Sequence, residues 1–168
     1  MRARTPLVGG VVGLFVTVAV LHLGAQLTGA DDVADATQVL LMPLLAAALW
    51  LNTEAARGRL VTLTLVALGL SWLGDSAPKL TQGDTAFLVM IGFFLLAQIA
   101  YVVAFWPFRD RSVLHVRRPL LLGYVAVVVA LVVACVGGAA GMLVPVLVYG
   151  ALLGTMAVLA TGVNLPTA

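Results

Sequence analysis

The feature that most constrains this chain is the length of its apolar blocks. They run close to the roughly 20 residues that a helix needs to cross a hydrocarbon core of about 30 Å. In hydrocarbon no water is present to satisfy backbone N–H and C=O groups, so blocks of this length are committed to helix. On the sequence they predict helices at about 7–27, 37–51, 60–74, 86–106, 119–136 and 142–163. The expected fold is therefore all-α, a polytopic transmembrane bundle of about six spans forming a single integral membrane domain over residues 1–168. Composition excludes the soluble alternative. The chain is 62% hydrophobic and 10% charged, with a mean hydropathy of +1.15, whereas a soluble domain carries roughly a quarter of its residues as charges.

The few charges are arranged with a bias. Arg2 and Arg4 precede the first block, Arg57 and Arg59 lie between the second and third, and Arg109, Arg111, Arg117 and Arg118 lie between the fourth and fifth. The alternate connections hold only Lys79, so eight of the nine basic residues fall on one side. The positive-inside rule then places both termini in the cytoplasm. A net charge of +2 distributed in this way is a topology signal, and no nucleic-acid partner is expected. Residues 1–30 also resemble a secretory signal, with Thr28-Gly29-Ala30 imitating a cleavage site, but the apolar run to Leu27 is longer than a signal core and a retained helix is expected.

Several residue types that often carry chemistry read here as structural. Cys135 stands alone in an apolar run and has no intramolecular partner for a disulfide. Asp31, Asp32 and Asp35 read as a solvated first outer loop, and the absence of ligand spacing gives no expectation of a metal site. Neither a phosphate-binding glycine loop nor a nucleophile elbow occurs, and no cofactor is expected. His22 falls within the first span, buried or facing a partner helix, and His115 in a basic loop, solvated. The pairs Gly137 with Gly141 and Gly150 with Gly154 have the four-residue spacing that lets membrane helices approach closely.

Polar groups forced into or beside hydrocarbon are more informative, because their cost is usually offset by a cavity or a partner. Asp75 ends the third apolar block in Leu70-Ser71-Trp72-Leu73-Gly74-Asp75. Lys79 lies one turn on and would pair with Asp75 if the helix continued, but Pro78 predicts that the helix stops or kinks first. Gln38, Gln98, Tyr101 and Tyr149 are further polar groups in or near spans. Gln98 and Tyr101, three apart, share a helix face.

The succession Thr37-Gln38-Val39-Leu40-Leu41-Met42-Pro43, then Gly69 through Asp75, then Phe87 through Gly92 with Phe94, Gln98, Tyr101 and Phe105, then Val148-Tyr149 with Met156 resembles the YhhN family of lysoplasmalogenase-like membrane proteins. The likeness covers about residues 37–160, and the Ser-x-x-Gly-Asp element is its most specific part. It implies a cell-membrane, multi-pass hydrolase that takes a lysophospholipid of the lysoplasmalogen type from the membrane and cleaves its vinyl-ether bond to a fatty aldehyde and a glycerophospho-alcohol. Such a bond is cleaved by protonating the outer alkene carbon, after which water captures the oxocarbenium ion and the hemiacetal collapses. A carboxyl near the interface can donate that proton when desolvation favours its neutral form.

Asp75 matches the family's first acidic motif and is the implied catalytic residue, as acid or as electrostatic stabiliser. Gln38, Ser71, Lys79, Gln98, Tyr101 and Tyr149 are the implied substrate-binding residues. The sequence departs from the family pattern where Gln38 stands in place of a common Lys and Gln98 in place of a common His. The pattern also continues into two further helices with a Ser-Asp motif that supplies a second acid, beyond Ala168. A second reading is a non-catalytic or degenerate member with a lipid-binding or structural role. A transporter is disfavoured by the lack of an inverted repeat.

Overall fold

A computed structural model of the chain describes residues 4–53, 58–116, 118–136 and 143–164. Among these the structure is helical, without strands: α1 (Arg4–Thr28), α2 (Asp31–Asn52), α3 (Arg59–Ser76), α4 (Gly83–Phe105), the single turn α5 (Val113–Val116), α6 (Leu121–Val136) and α7 (Leu143–Asn164). The segments Pro6–Thr28, Asp31–Asn52, Arg59–Leu80, Gly83–Arg111 and Val144–Val163 are long and apolar enough to cross a membrane. The described part of α6 has 16 residues, about 24 Å of helix, and residues 137–142 that follow it lie outside the description, as do Gly137 and Gly141.

The chain divides into two compact units, Met1–Phe93 and Phe94–Ala168, with α4 running through the division. In the first unit α1 packs along α2, and α2 along α3. The α1–α2 connection is only Gly29-Ala30. Gly29 adopts φ +70°, a left-handed conformation that glycine enters without strain, and the Ala30 N–H donates to the Ala25 carbonyl at 2.9 Å, closing α1 with a Schellman turn.

This tight turn corrects the expectation of an outer loop holding Asp31, Asp32 and Asp35. All three lie in the opening turns of α2, where carboxylates favour the positive end of the helix dipole. α2 thereby reaches 22 residues, the length of a span, instead of the short helix that its apolar run alone predicts. At the far end of α3 the α-helix gives way at Ala77 to a 3-10 turn over Ala77–Leu80 with Pro78 in its first turn, as the proline predicts.

Burial runs opposite to that of a soluble protein. Ala67 and Ala97 are fully buried, whereas Leu27, Leu80, Leu122 and Val144 are among the most exposed side chains. Exposed large apolar groups face lipid without penalty, and small residues inside let helices approach. The second unit shows this directly. A Cβ on Gly150 would sit 3.3 Å from Val132 Cγ2, and one on Gly154 would sit 2.9 Å from Val128 Cγ2, so the Gly150/Gly154 face is where α7 meets α6. Gly162 is tighter still, since its Cβ would overlap the backbone carbonyl of Phe108 in the 3-10 segment Trp106–Arg111. Beside it, the Thr161 hydroxyl accepts from the Val113 N–H at 3.0 Å.

Candidate functional site

The first unit gathers polar groups from all three of its packed helices at one end, where α1 closes, α2 opens and α3 ends. The local cause begins with Pro43 inside α2. Proline has no N–H for the carbonyl four residues earlier, which is that of Val39. That carbonyl instead accepts from the Trp72 indole N–H at 3.1 Å, so a backbone group left without its helical partner is satisfied by a side chain of α3. The bond sets α3 against α2. One residue earlier on α2 and about one turn further along α3, Gln38 Nε2 donates to Asp75 Oδ1 at 2.9 Å.

Asp75 is half-buried. With Oδ1 accepting from Gln38, no donor among the described residues is bonded to Oδ2. When the carboxyl is neutral, its proton therefore belongs on Oδ2. Ser71 is buried four residues earlier on α3, on the same face as Asp75, and the buried Ser76 Oγ has no hydrogen-bond partner among the described residues.

Because the α-helix stops before Pro78, Lys79 takes a partner other than Asp75. The 3-10 turn carries it to Asp35 at the start of α2, with Nζ 3.1 Å from Asp35 Oδ1 and donating to the Asp35 carbonyl at 2.9 Å. It is not hydrogen-bonded to Asp75, although its charge reaches it. An exposed bridge of this kind contributes at most about 1 kcal/mol; its main effect is to clamp the end of α3 to the start of α2.

His22 of α1 completes the group. Its Nδ1 lies 3.1 Å from the Ala34 carbonyl and 3.0 Å from Thr37 Oγ1, while Thr37 Oγ1 donates to the Val33 carbonyl at 2.6 Å. His22 is also within electrostatic range of Asp75. The sequence leaves His22 either buried or facing a partner helix and gives no sign of this range, because nothing local links residues 22 and 75.

The structure brings Gln38, Ser71, Asp75 and Lys79 together in the first unit. Gln98, Tyr101 and Tyr149 belong to the second. There Gln98 is buried, 6% exposed, with its Oε1 lacking a partner among the described residues. Tyr101 stacks on Phe105 at 6.0 Å between ring centres. Tyr149 meets Phe94 edge-on at 6.4 Å, which ties α7 to α4. An apolar groove of about 440 Å³ beside α6 and α7 is lined by residues including Tyr124, Val128, Ala151 and Val158. No group of three or more His, Cys, Asp or Glu side chains placed to hold a metal occurs among the described residues.

Comparison with known proteins gives no match among curated proteins and none among solved structures. A family model does match, over residues 33–167, a segment that holds Gln38, Trp72, Asp75 and the bonds joining α2 to α3. This chain, a membrane-spanning helical bundle, belongs to the YhhN family.

Proposed function

We propose that this protein is a lysoplasmalogenase-like hydrolase of the cell membrane that cleaves the vinyl-ether bond of a lysoplasmalogen-type lipid to a fatty aldehyde and a glycerophospho-alcohol. Both termini are cytoplasmic in this reading, which rests on the alternation of basic residues. The observation that carries the proposal is the Gln38–Asp75 hydrogen bond. It joins the family-like motif of α2 to that of α3 around one half-buried carboxyl, and it leaves Oδ2 as the atom able to deliver a proton.

Vinyl-ether cleavage needs a proton donor at the outer alkene carbon, followed by water at the carbon bearing oxygen. Asp75 is the donor in this reading, and its carboxylate then faces the developing oxocarbenium ion. Positioned proton transfer of this kind contributes about 10²- to 10⁴-fold in rate. The exposed apolar helices supply the route by which a single-chain lipid arrives from the bilayer.

A second reading is a non-catalytic, lipid-binding member. It is favoured by one observation: Lys79 and Trp72, two of the polar groups around Asp75, are engaged in ties between α2 and α3. The test is purified protein in nanodiscs given a lysoplasmalogen and, separately, its saturated ether analogue. Aldehyde from the first and none from the second supports the hydrolase. No aldehyde from any vinyl-ether lipid, with lipid binding retained, supports the second reading.

A further inference from the structure

His22 lies on α1, ahead of the segment matched by the family model, and its surroundings define its chemistry. A carbonyl oxygen only accepts, so the contact between Nδ1 and the Ala34 carbonyl requires the proton on Nδ1. The Thr37 hydroxyl directs its own proton to the carbonyls of Val33 and Ala34, the shorter contact being to Val33, and is a second acceptor for Nδ1. In the neutral imidazole both contacts therefore fix the Nδ1–H form, with the lone pair on Nε2. Nε2 has no hydrogen-bond partner among the described residues. A histidine oriented through one nitrogen by a backbone carbonyl, with the other left basic, is the arrangement by which proteins present an imidazole base.

Position gives that base a task. Thr37, which holds His22, is the chain neighbour of Gln38, which holds Asp75. The imidazole of α1 and the carboxyl of α3 are thus held by adjacent positions of α2 and lie within electrostatic range of each other. Lys79 is taken up by Asp35, so it does not compete for the proton.

We propose that His22 is the second proton-handling group of the Asp75 site, accepting through Nε2 the proton of the attacking water and returning it to the leaving glyceryl oxygen. The proposal rests on the hydrolase reading, and its steps balance. Asp75 Oδ2 gives its proton to the outer alkene carbon, whose π pair forms the new C–H bond. Water oxygen bonds to the oxocarbenium carbon as one of its protons passes to His22 Nε2. In the collapse the carbon–oxygen bond to glycerol breaks, the glyceryl oxygen takes the proton from His22, and the hemiacetal hydroxyl gives its proton to Asp75. Both groups return to their starting states, with aldehyde and alcohol released.

The substitution that separates this role from a structural one is His22→Asn. An Asn amide nitrogen occupies the place of Nδ1 and still donates to the Ala34 carbonyl, but nothing replaces Nε2. In nanodiscs, His22→Asn is expected to keep the thermal stability and KM of the parent while kcat falls about 100-fold, the scale of a lost general base. An unchanged kcat in His22→Asn overturns the proposal.

Nitrogen NMR of histidine-labelled protein carrying His115→Gln supplies a readout that needs no turnover. It is expected to show His22 as the Nδ1–H form, with its Nε2 signal moving on addition of the saturated lyso-ether analogue. An Nε2–H form, or an Nε2 signal indifferent to that lipid, overturns the proposal as well. Absence of aldehyde from the parent protein sinks the hydrolase reading, and with it this role, by a result distinct from either of these.

Discussion

The two units solve the problem of holding helices together in lipid by different means. In the first, α1, α2 and α3 are joined through polar side chains: His22 to the Ala34 carbonyl, Gln38 to Asp75, Trp72 to the Val39 carbonyl and Lys79 to Asp35. In the second, α7 meets its neighbours among the described residues through glycines, the edge contact of Tyr149 with Phe94 and the Thr161 hydroxyl. Among the described residues the carbonyl oxygen of buried Gln98 has no partner. Glycine contacts depend on shape, whereas side-chain hydrogen bonds between membrane helices contribute modestly, about 0.6 kcal/mol on average. The first unit gathers its polar ties at one end of its helices, around the carboxyl of Asp75. That gathering is the physical reason for proposing the function there.

The contrast predicts how each unit fails. The largest effect on stability is expected from Gly162→Ala, because the added methyl meets backbone of Phe108 that no rotamer change can move aside. A loss of about 3 kcal/mol is expected from overpacking, read as a lower unfolding midpoint in detergent. Gly162→Ala with no shift would mean that the second unit does not depend on close backbone approach. Gln38→Leu comes next. It removes the donor to Oδ1 and is expected to lower aldehyde release about tenfold, which is about 1.4 kcal/mol, with the helices still packed.

A smaller loss, about 1 kcal/mol, is expected for Trp72→Phe, which deprives the Val39 carbonyl of its donor. Pro43→Ala supplies a backbone N–H to the same carbonyl, so in that background Trp72→Phe is expected to cost little. Equal costs in both backgrounds would break the proposed link between proline and indole. Lys79→Met is expected to change stability least, by under about 1 kcal/mol, because the bridge to Asp35 is partly exposed.

How far these features could be read from sequence follows from the range of the interactions. The long helices were legible because apolar length is a local property, and the stop at Pro78 and the close approach at Gly150 and Gly154 were legible for the same reason. The start of α2 was not, since three aspartates in a row of five residues resemble a loop unless the Gly29 turn is known to be only two residues long. Asp75 stood out as a charge beside hydrocarbon. Its partners did not. Lys79 is four residues from Asp75 yet bonds Asp35, 44 residues away, and Trp72 answers a vacancy that Pro43 creates 29 positions earlier in the chain. His22 bears on the site only through α2. Pairings of this kind are set by how helices fold back on one another, which periodicity and composition do not encode.

The claim that the carboxyl of the first unit carries the chemistry is tested most directly by aldehyde release from a lysoplasmalogen in nanodiscs, comparing the parent protein with Asp75→Asn at matched thermal stability. Asn preserves the acceptor for Gln38 and removes the transferable proton. The account predicts release from the parent and a fall of at least about 100-fold in Asp75→Asn. Release by a stable Asp75→Asn protein at the parent's rate would contradict it.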